Sequence, residues 1–112
     1  MASVLVSEVD PDVRRLLVLL LERGEYVPVV LGTDVVDPPR AAALIVDPIS
    51  PVSVEHARRA RAAAPELPVV CLNPPPADAG FLQQGPTYFL PKPFAPEQLG
   101  EILGRALGCS PV

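Results

Sequence analysis

Five short runs of consecutive apolar residues recur along the chain, separated by stretches in which apolar and polar positions are mixed. Unbroken hydrophobicity of this length is typical of β-strands that are buried on both faces of a sheet. The runs cover Ala2 to Ser7, Tyr26 to Leu31, Ala43 to Val46, Val69 to Leu72 and Tyr88 to Leu90. We therefore predict a central sheet of five strands.

Two of the segments between these runs carry both start and stop signals of a helix. Asp10-Pro11-Asp12 leads into the sequence VRRLLVLLLERG, and its cap residue, its apolar spacing and its closing Gly24 are helix start and stop signals. After the third run, Ser53 is a candidate cap for SVEHARRARAAA, and Pro65 stops that helix. We expect His56 and the neighbouring arginines to form its solvated face.

The other connections differ in helical quality. The segment from Pro96 to Leu107 is amphipathic and predicts a helix after the fifth run. The segment from Gly32 to Ala42 contains the sequence DPP, and the segment from Asn73 to Pro86 opens with three prolines. Because proline removes a helix donor and clashes with the preceding turn, we predict only a turn or two of helix in each.

Strands that alternate with helices predict an α/β fold, a doubly wound parallel sheet covered on both sides in a three-layer sandwich. Pro28 and Pro91 fall in or beside the second and fifth strands, and proline cannot donate to a ladder, so we place these strands at the edges. The flavodoxin-like order 2-1-3-4-5 satisfies this condition, with the second and fourth helices shortened. Residues 1–108 form the predicted domain and 109–112 a C-terminal tail.

Composition limits the function classes. The chain has 112 residues, 49% of them hydrophobic, and a net charge of −4, which predicts one well-buried domain that does not bind nucleic acid directly. The longest apolar stretch, Leu16 to Leu21, is far below the roughly 20 residues that span a bilayer, and no signal peptide opens the chain. We expect a cytoplasmic protein without a membrane partner, in which Cys71 and Cys109 are ordinary reduced thiols.

Polar residues follow four of the five predicted strands, at the carboxyl end of each. They are Glu8, Asp47, Asn73 and Lys92, after the first, third, fourth and fifth strands respectively. The carboxyl ends of parallel strands meet at one rim of the sheet, which is where doubly wound folds bind ligands. Two acids, an amide and a lysine should therefore face one another.

Nearly the whole chain resembles the receiver domains of bacterial response regulators. The resemblance is carried in order by VLVSEVDPDVRRLL, ALIVDPISP, LPVVCLN and YFLPKPF. Its most specific parts are Lys92-Pro93-Phe94, whose first peptide bond is usually cis in the family, and Asp47 followed four residues later by Pro51. The resemblance implies that Asp47 is the phosphoacceptor position, supported by Glu8, Asn73, Lys92 and Pro93.

The chain departs from the family at the metal site and at the switch. Phosphoryl transfer to the aspartate normally needs Mg²⁺ held by two acids after the first strand, and here Val9 fills the second acidic position. Asn73 replaces the family's hydroxyl residue, and Phe89 is the switch aromatic position. We expect no resident cofactor, with Glu8 and Asp47 as weak candidate ligands for Mg²⁺, and we expect Asp10 to face elsewhere.

The stretch from Asn73 to Lys92 is a few residues shorter than the family usually has, which predicts a remodelled signalling face. Gly100, Gly104 and Gly108 recur every four residues in the last helix, so we consider a homodimer formed through that helix, against the alternative of glycines tolerated in a packed or fraying helix.

Three functions stay open at this point. The first is an atypical receiver, or pseudo-receiver, that regulates bacterial signal transduction by binding a regulatory protein, a histidine kinase or an output protein, and is not phosphorylated in the usual Mg²⁺-dependent way. The second is a working two-component receiver phosphorylated on Asp47 by a histidine kinase. The third is a flavodoxin-like domain that binds a small molecule at the rim. Because no phosphate-binding glycine loop and no nucleophile elbow appear, we predict no independent enzyme and no catalytic residue.

Overall fold

A five-stranded parallel sheet with the order β2-β1-β3-β4-β5 forms the centre of the molecule, as predicted. The computed structural model describes residues 2–34 and 37–108, without the side chain of Gln83. The strands are β1 (Ser3–Ser7), β2 (Val27–Val30), β3 (Ala43–Val46), β4 (Val69–Cys71) and β5 (Thr87–Phe89). The helices are α1 (Pro11–Arg23), α2 (Pro51–Ala63) and α3 (Pro96–Ala106). Four of the five strands begin or end a residue away from the predicted bounds.

The sheet separates two hydrophobic cores, because successive side chains of a strand point to opposite faces. On one face Val4, Val6 and Ile45 pack against leucines of α1 and α3. On the other face Leu5 and Val46 pack against Ala57 and Ala60 of α2 and against Leu82. The result is the predicted three-layer sandwich. No helix within residues 2–34 and 37–108 is long and apolar enough to cross a membrane.

The edge strand β2 shows why proline is tolerated there. The Val27 and Leu31 N–H groups donate to the Ala2 and Val6 carbonyls at 2.8 and 2.9 Å, so the alternate position, Pro28, points its nitrogen away from the sheet. A residue other than proline would expose a free donor at this place, and a free donor on an edge strand invites pairing with another chain. Pro28 therefore costs the sheet no hydrogen bond and protects its edge.

Helix α1 begins within the predicted lead-in Asp10-Pro11-Asp12 and ends before Gly24, as predicted. The Asp10 carboxylate accepts hydrogen bonds from the backbone N–H groups of Asp12 and Val13, which supplies two of the donors left unpaired at a helix start. This contact also turns Asp10 away from the rim, as expected. Gly24 ends the helix, and Glu25 takes the left-handed conformation that follows, with φ of 66°.

Helix α2 differs from the prediction in its start and in its buried face. It begins at Pro51 with Ser50 in the cap position, so the prediction of a cap at Ser53 is wrong. The expectation of a solvated face is also wrong for His56 and Arg61, which are 2% and 6% exposed. Small alanines and the partly buried Val54 give this helix a thin apolar stripe, and polar residues at helical spacing from Ala57 and Ala60 turn inward with them.

The two proline-rich connections are short of helix, as predicted. The described part of the connection after β2 contains no helix, and the connection after β4 contains one 3₁₀ helix, Gly80–Gln84. Helix α2 holds this 3₁₀ helix through Arg58, whose guanidinium lies 5.3 Å from the centre of the Phe81 ring, and through Arg61. Cys109 and the proposed tail lie outside the described residues.

A Cβ added at Gly100 would meet nothing within 4 Å, so no close approach inside the chain accounts for that glycine. The homodimer through α3 stays a prediction.

Candidate functional site

The polar residues predicted at the rim lie together at the carboxyl ends of the strands. The backbone fixes their positions: the Asp47 N–H donates to the Ser7 carbonyl at 3.1 Å, and the Lys92 N–H donates to the Leu72 carbonyl at 3.3 Å. Each of these bonds continues the ladder by one step beyond the strand ends. Glu8 and Asn73 follow Ser7 and Leu72 directly, so the sheet itself brings the four side chains to one place.

Lys92 bridges the two acids of the rim. Its Nζ lies 2.5 Å from Glu8 Oε1 and 2.8 Å from Asp47 Oδ2. Both carboxylates are almost fully buried, at 3% and 5% exposure for Glu8 and Asp47. Burial works to lower the pKa of Lys92, but the hydrogen bonds and charges of the two carboxylates outweigh it and raise that pKa above its usual 10.5. The lysine is therefore held in its charged form.

Asp47 has a partner for each of its oxygens. Its Oδ1 accepts hydrogen bonds from the Ile49 N–H at 3.2 Å and from Asn73 Nδ2 at 3.0 Å, while Lys92 occupies Oδ2. Burial works to raise the pKa of Asp47, but the bonds from Lys92, Asn73 and Ile49 together lower it below its usual 3.8. The carboxylate is thus ionised and fully hydrogen-bonded.

The donor set at the rim fits a Mg²⁺ ion poorly. Mg²⁺ requires near-octahedral oxygen ligands, usually one or two carboxylates plus water. Here the Lys92 ammonium lies against both carboxylates, and Val9 is 55% exposed and offers no side-chain oxygen. Binding of a divalent cation would require Lys92 to leave at least one carboxylate. Among the described residues, no group of three or more histidine, cysteine or acidic side chains could hold a metal ion.

The Lys92-Pro93 bond is cis, as the resemblance implies. Phe89 is 52% exposed and, with Asn73, Pro74 and Pro91, lines an apolar cavity of about 230 Å³ next to the rim. A second cavity, of about 390 Å³, lies on the other side of Lys92 between α1 and Phe94. Apolar surface therefore flanks the acidic centre on both sides. Binding of a small molecule at the rim stays a prediction.

A second buried polar cluster lies beside the rim, and the sequence reasoning missed it. Ser7 Oγ lies 2.9 Å from Ser53 Oγ and 2.7 Å from His56 Nδ1, and each of the three residues is at most 2% exposed. The spacing of Ser53, His56 and Ala57 on one side of a helix was an available signal, but the arginines around His56 favoured a solvated face.

Comparisons with known proteins agree on the fold. No protein-family model matches the sequence, and no curated protein matches it. Among solved structures, the Vibrio cholerae chemotaxis protein CheY4 is 24% identical, with a TM-score of 0.77 over 96% of this chain and 99% of that one. A CheY-like response regulator receiver domain from Methanospirillum hungatei JF-1 is 18% identical, with a TM-score of 0.77 over 96% and 94% of the two chains.

A third similar structure contains a metal ion. It is the receiver domain of a sensor histidine kinase from Pseudomonas aeruginosa PAO1, with magnesium coordinated in its active-site cleft. It is 23% identical to this chain, covers 96% of it and 98% of its own length, and has a TM-score of 0.76. The chain therefore has the fold of response regulator receiver domains.

Proposed function

We propose that this protein is a pseudo-receiver, a regulatory domain that binds a protein partner in bacterial signal transduction. The observation that supports it best is the position of Lys92, which pairs with Asp47 and Glu8 at the same time. The positive charge that a receiver would need at its phosphoacceptor is thus already supplied by the chain itself. Asn73 completes the arrangement by donating to the other Asp47 oxygen.

Phosphorylation in the usual manner is disfavoured by the same contacts. A phosphoryl donor would have to reach an Asp47 carboxylate whose oxygens already have partners, and its charge would have to be neutralised without a second acid to hold Mg²⁺. Val9 occupies that acid's position. The rim is therefore a poor centre for phosphoryl transfer, and its interactions instead fix the ends of β3, β4 and β5.

The surface proposed for the partner comprises the fourth connection, β5 and α3. Phe89, Pro74 and Pro91 expose apolar surface there, and aromatic side chains are frequent anchors of protein interfaces. Arg61 and Arg58 tie the 3₁₀ helix of this region to α2. A surface fixed in this way binds its partner without a phosphorylation-dependent rearrangement. The regulatory domain would comprise residues 1–108 and act in the cytoplasm.

The test is intact-mass analysis after incubation with Mg²⁺ and acetyl phosphate. The proposal expects no phosphate adduct on the wild-type protein under conditions in which a working receiver domain, run in parallel, becomes labelled. Asp47→Asn is the control, since it keeps the side-chain size and removes the acceptor. An adduct on the wild type that is absent from Asp47→Asn would contradict the proposal and make the protein a working phosphorylation switch.

A working receiver is the second candidate, and one observation favours it. The lowered pKa of Asp47, in which the bonds from Lys92, Asn73 and Ile49 overcome the effect of burial, leaves an ionised carboxylate as the attacking group. If the wild type gains no adduct, Val9→Asp separates two causes of that result, because an exposed position accepts an aspartate and regains the missing metal ligand. If the lost ligand is what prevents phosphorylation, Val9→Asp gains an adduct that the wild type lacks. If Lys92 and Asn73 block the acceptor, neither protein gains one.

A further inference from the structure

The second buried polar cluster is a continuous chain of hydrogen-bonding groups from helix α2 to the connection after β2. Ser53 Oγ lies 2.9 Å from Ser7 Oγ and 3.3 Å from the Ser7 carbonyl oxygen. Ser7 Oγ lies 2.7 Å from His56 Nδ1, and His56 Nε2 lies 3.3 Å from the Asp34 carbonyl oxygen. Each hydroxyl can donate one proton and accept others, so the direction of the chain depends on the protons of the imidazole.

With a neutral imidazole, the Ser7 hydroxyl has to donate to the ring. The Asp34 carbonyl can only accept, so Nε2 must carry the proton and Nδ1 must accept. Ser7 then donates its hydroxyl proton to Nδ1, and Ser53 is free to donate to Ser7 Oγ, the nearer acceptor at 2.9 Å. In this state the Ser7 carbonyl receives the Asp47 N–H and has no need of the Ser53 hydroxyl.

With a charged imidazole, the chain runs the other way. Both ring nitrogens donate, so Nδ1 donates to Ser7 Oγ while Nε2 still donates to Asp34. Ser7 must then donate to Ser53 Oγ, and Ser53 must donate to the Ser7 carbonyl. No donor is left without an acceptor in either state, so the buried chain accepts a proton without losing a hydrogen bond.

We propose that His56 is a proton-sensing residue whose charge state is transmitted to the phosphoacceptor position through the Ser7 carbonyl. That carbonyl accepts the Asp47 N–H at 3.1 Å in both states, and the charged form of His56 obliges the Ser53 hydroxyl to donate to the same carbonyl, whereas the neutral form leaves it the nearer Ser7 Oγ. Gain of a proton on His56 therefore weakens the hydrogen bond that holds the Asp47 backbone. The proposal does not depend on whether Asp47 is phosphorylated.

The surroundings of His56 allow it to exchange protons. It lines a cavity of about 120 Å³ between the ends of β1 and β2 and the first turns of α2, which is room for several water molecules. Two charged side chains border the same cavity, Glu8 from β1 and Arg14 from α1. On its own helix Glu55 pairs with Arg59, which also reaches Asp37 of the connection after β2. The cavity beside the imidazole thus carries one carboxylate and one guanidinium, and the charged groups that neighbour His56 on its own helix are paired with each other.

Nuclear magnetic resonance tests the proposal directly, since His56 is the single histidine of the chain and its ring signals need no assignment by mutation. The ring signals and the Asp47 amide signal are followed together while the pH is lowered. The proposal expects the Asp47 amide to shift with the same midpoint as the His56 ring. An Asp47 amide that does not move at that midpoint would refute the proposal, as would a ring that does not titrate before the protein unfolds.

Two variants separate transmission through the hydroxyl chain from a direct effect of charge. Ser53→Ala removes the proton that moves to the Ser7 carbonyl but keeps His56, so the ring should still titrate while the coupled shift of the Asp47 amide is lost. His56→Gln should abolish the pH-dependent shift of the Asp47 amide at the His56 midpoint. Any shift that the Asp47 carboxylate itself causes at lower pH should remain. A coupled shift that persists in Ser53→Ala contradicts the proposed route. Dispersed amide spectra show that each variant is folded.

Discussion

The two ends of the sheet each hold a cation, the partly exposed Lys92 and the buried Arg61, and the two cations have different kinds of partner. At the carboxyl ends of the strands Lys92 pairs with two carboxylates. At the amino ends Arg61 has no acid among its hydrogen-bond acceptors and donates to backbone carbonyls of Leu82, Leu67 and Pro86, at 2.7 to 2.9 Å. The first cation is stabilised by ion pairs with carboxylates, and the second by hydrogen bonds to backbone carbonyls.

The difference indicates that the carboxyl ends of the strands can act as a binding site, whereas the amino ends serve to stabilise the fold. An ammonium held by two carboxylates can exchange partners, because each member of the group is a charge that another ion could pair with. The planar guanidinium of Arg61 instead fixes the start of β4, the start of β5 and the 3₁₀ helix in one geometry. Burial lowers the pKa of Arg61, slightly opposed by Cys71, yet an arginine keeps its charge in a protein. The amino ends of β4 and β5 are therefore held rigidly, and the same two strands carry Asn73 and Lys92 at the rim.

Replacing Arg61 should give the largest effect. Arg61→Met keeps much of the packing volume but removes three charge-assisted hydrogen bonds, and we expect a loss of about 3 kcal/mol in the free energy of unfolding. The Leu82 and Pro86 carbonyls keep a second donor, Thr87 Oγ1 and the Val69 N–H respectively, whereas the Leu67 carbonyl loses its guanidinium donor. Urea denaturation followed by circular dichroism measures it. Arg58→Met, which removes an exposed guanidinium over Phe81, is the matched control and should cost less than about 1 kcal/mol. Equal losses in the two variants would contradict the structural role given to Arg61.

The sequence was sufficient to predict the fold and the residues of the rim, but not the buried contacts of Arg61 at the amino ends of the strands. Unbroken apolar strands and Pro28 determine the strand order, and the order alone gathers Glu8, Asp47, Asn73 and Lys92. Arg61 was expected in solvent, because an arginine beside other arginines on an alanine-rich helix usually lies there. Its acceptors are backbone carbonyls, which every residue carries, so no side-chain pattern in the sequence reveals them. The same argument applies to Asp34, whose carbonyl accepts from His56.

Replacing Lys92 tests the other end and should have a smaller, pH-dependent effect. Lys92→Met leaves two buried carboxylates facing each other, and we expect a loss of roughly 2 kcal/mol near neutral pH, since the lysine is partly exposed. Because the pKa of Asp47 is lowered in the folded state, its contribution to stability is present above 3.8 and is lost as the pH falls through the lower folded value.

The difference between wild type and Lys92→Met should therefore shrink as the pH falls below 3.8. At the alkaline side the raised pKa of Lys92 keeps its contribution fully present below 10.5, and the contribution is lost as the pH rises through the folded value. Urea denaturation across the pH range measures both the acidic and the alkaline decrease of this difference in stability. A difference that is independent of pH would mean that packing of the lysine stem, and not its charge, stabilises the rim.

The smallest expected effect concerns Cys71, which lies in β4 between the two cations. Burial raises the pKa of its thiol to about 11, and the positive charge of Arg61 opposes that rise only in part. Since the thiolate is the reactive form, a thiol reagent at about pH 8 should modify Cys71 only as fast as the protein opens. Cys109→Ser isolates the signal, and mass spectrometry with and without urea measures it. Rapid modification of the native protein would mean that β4 opens locally. The rigidity that Arg61 gives to the start of β4 would then not reach Cys71 at the other end of the strand.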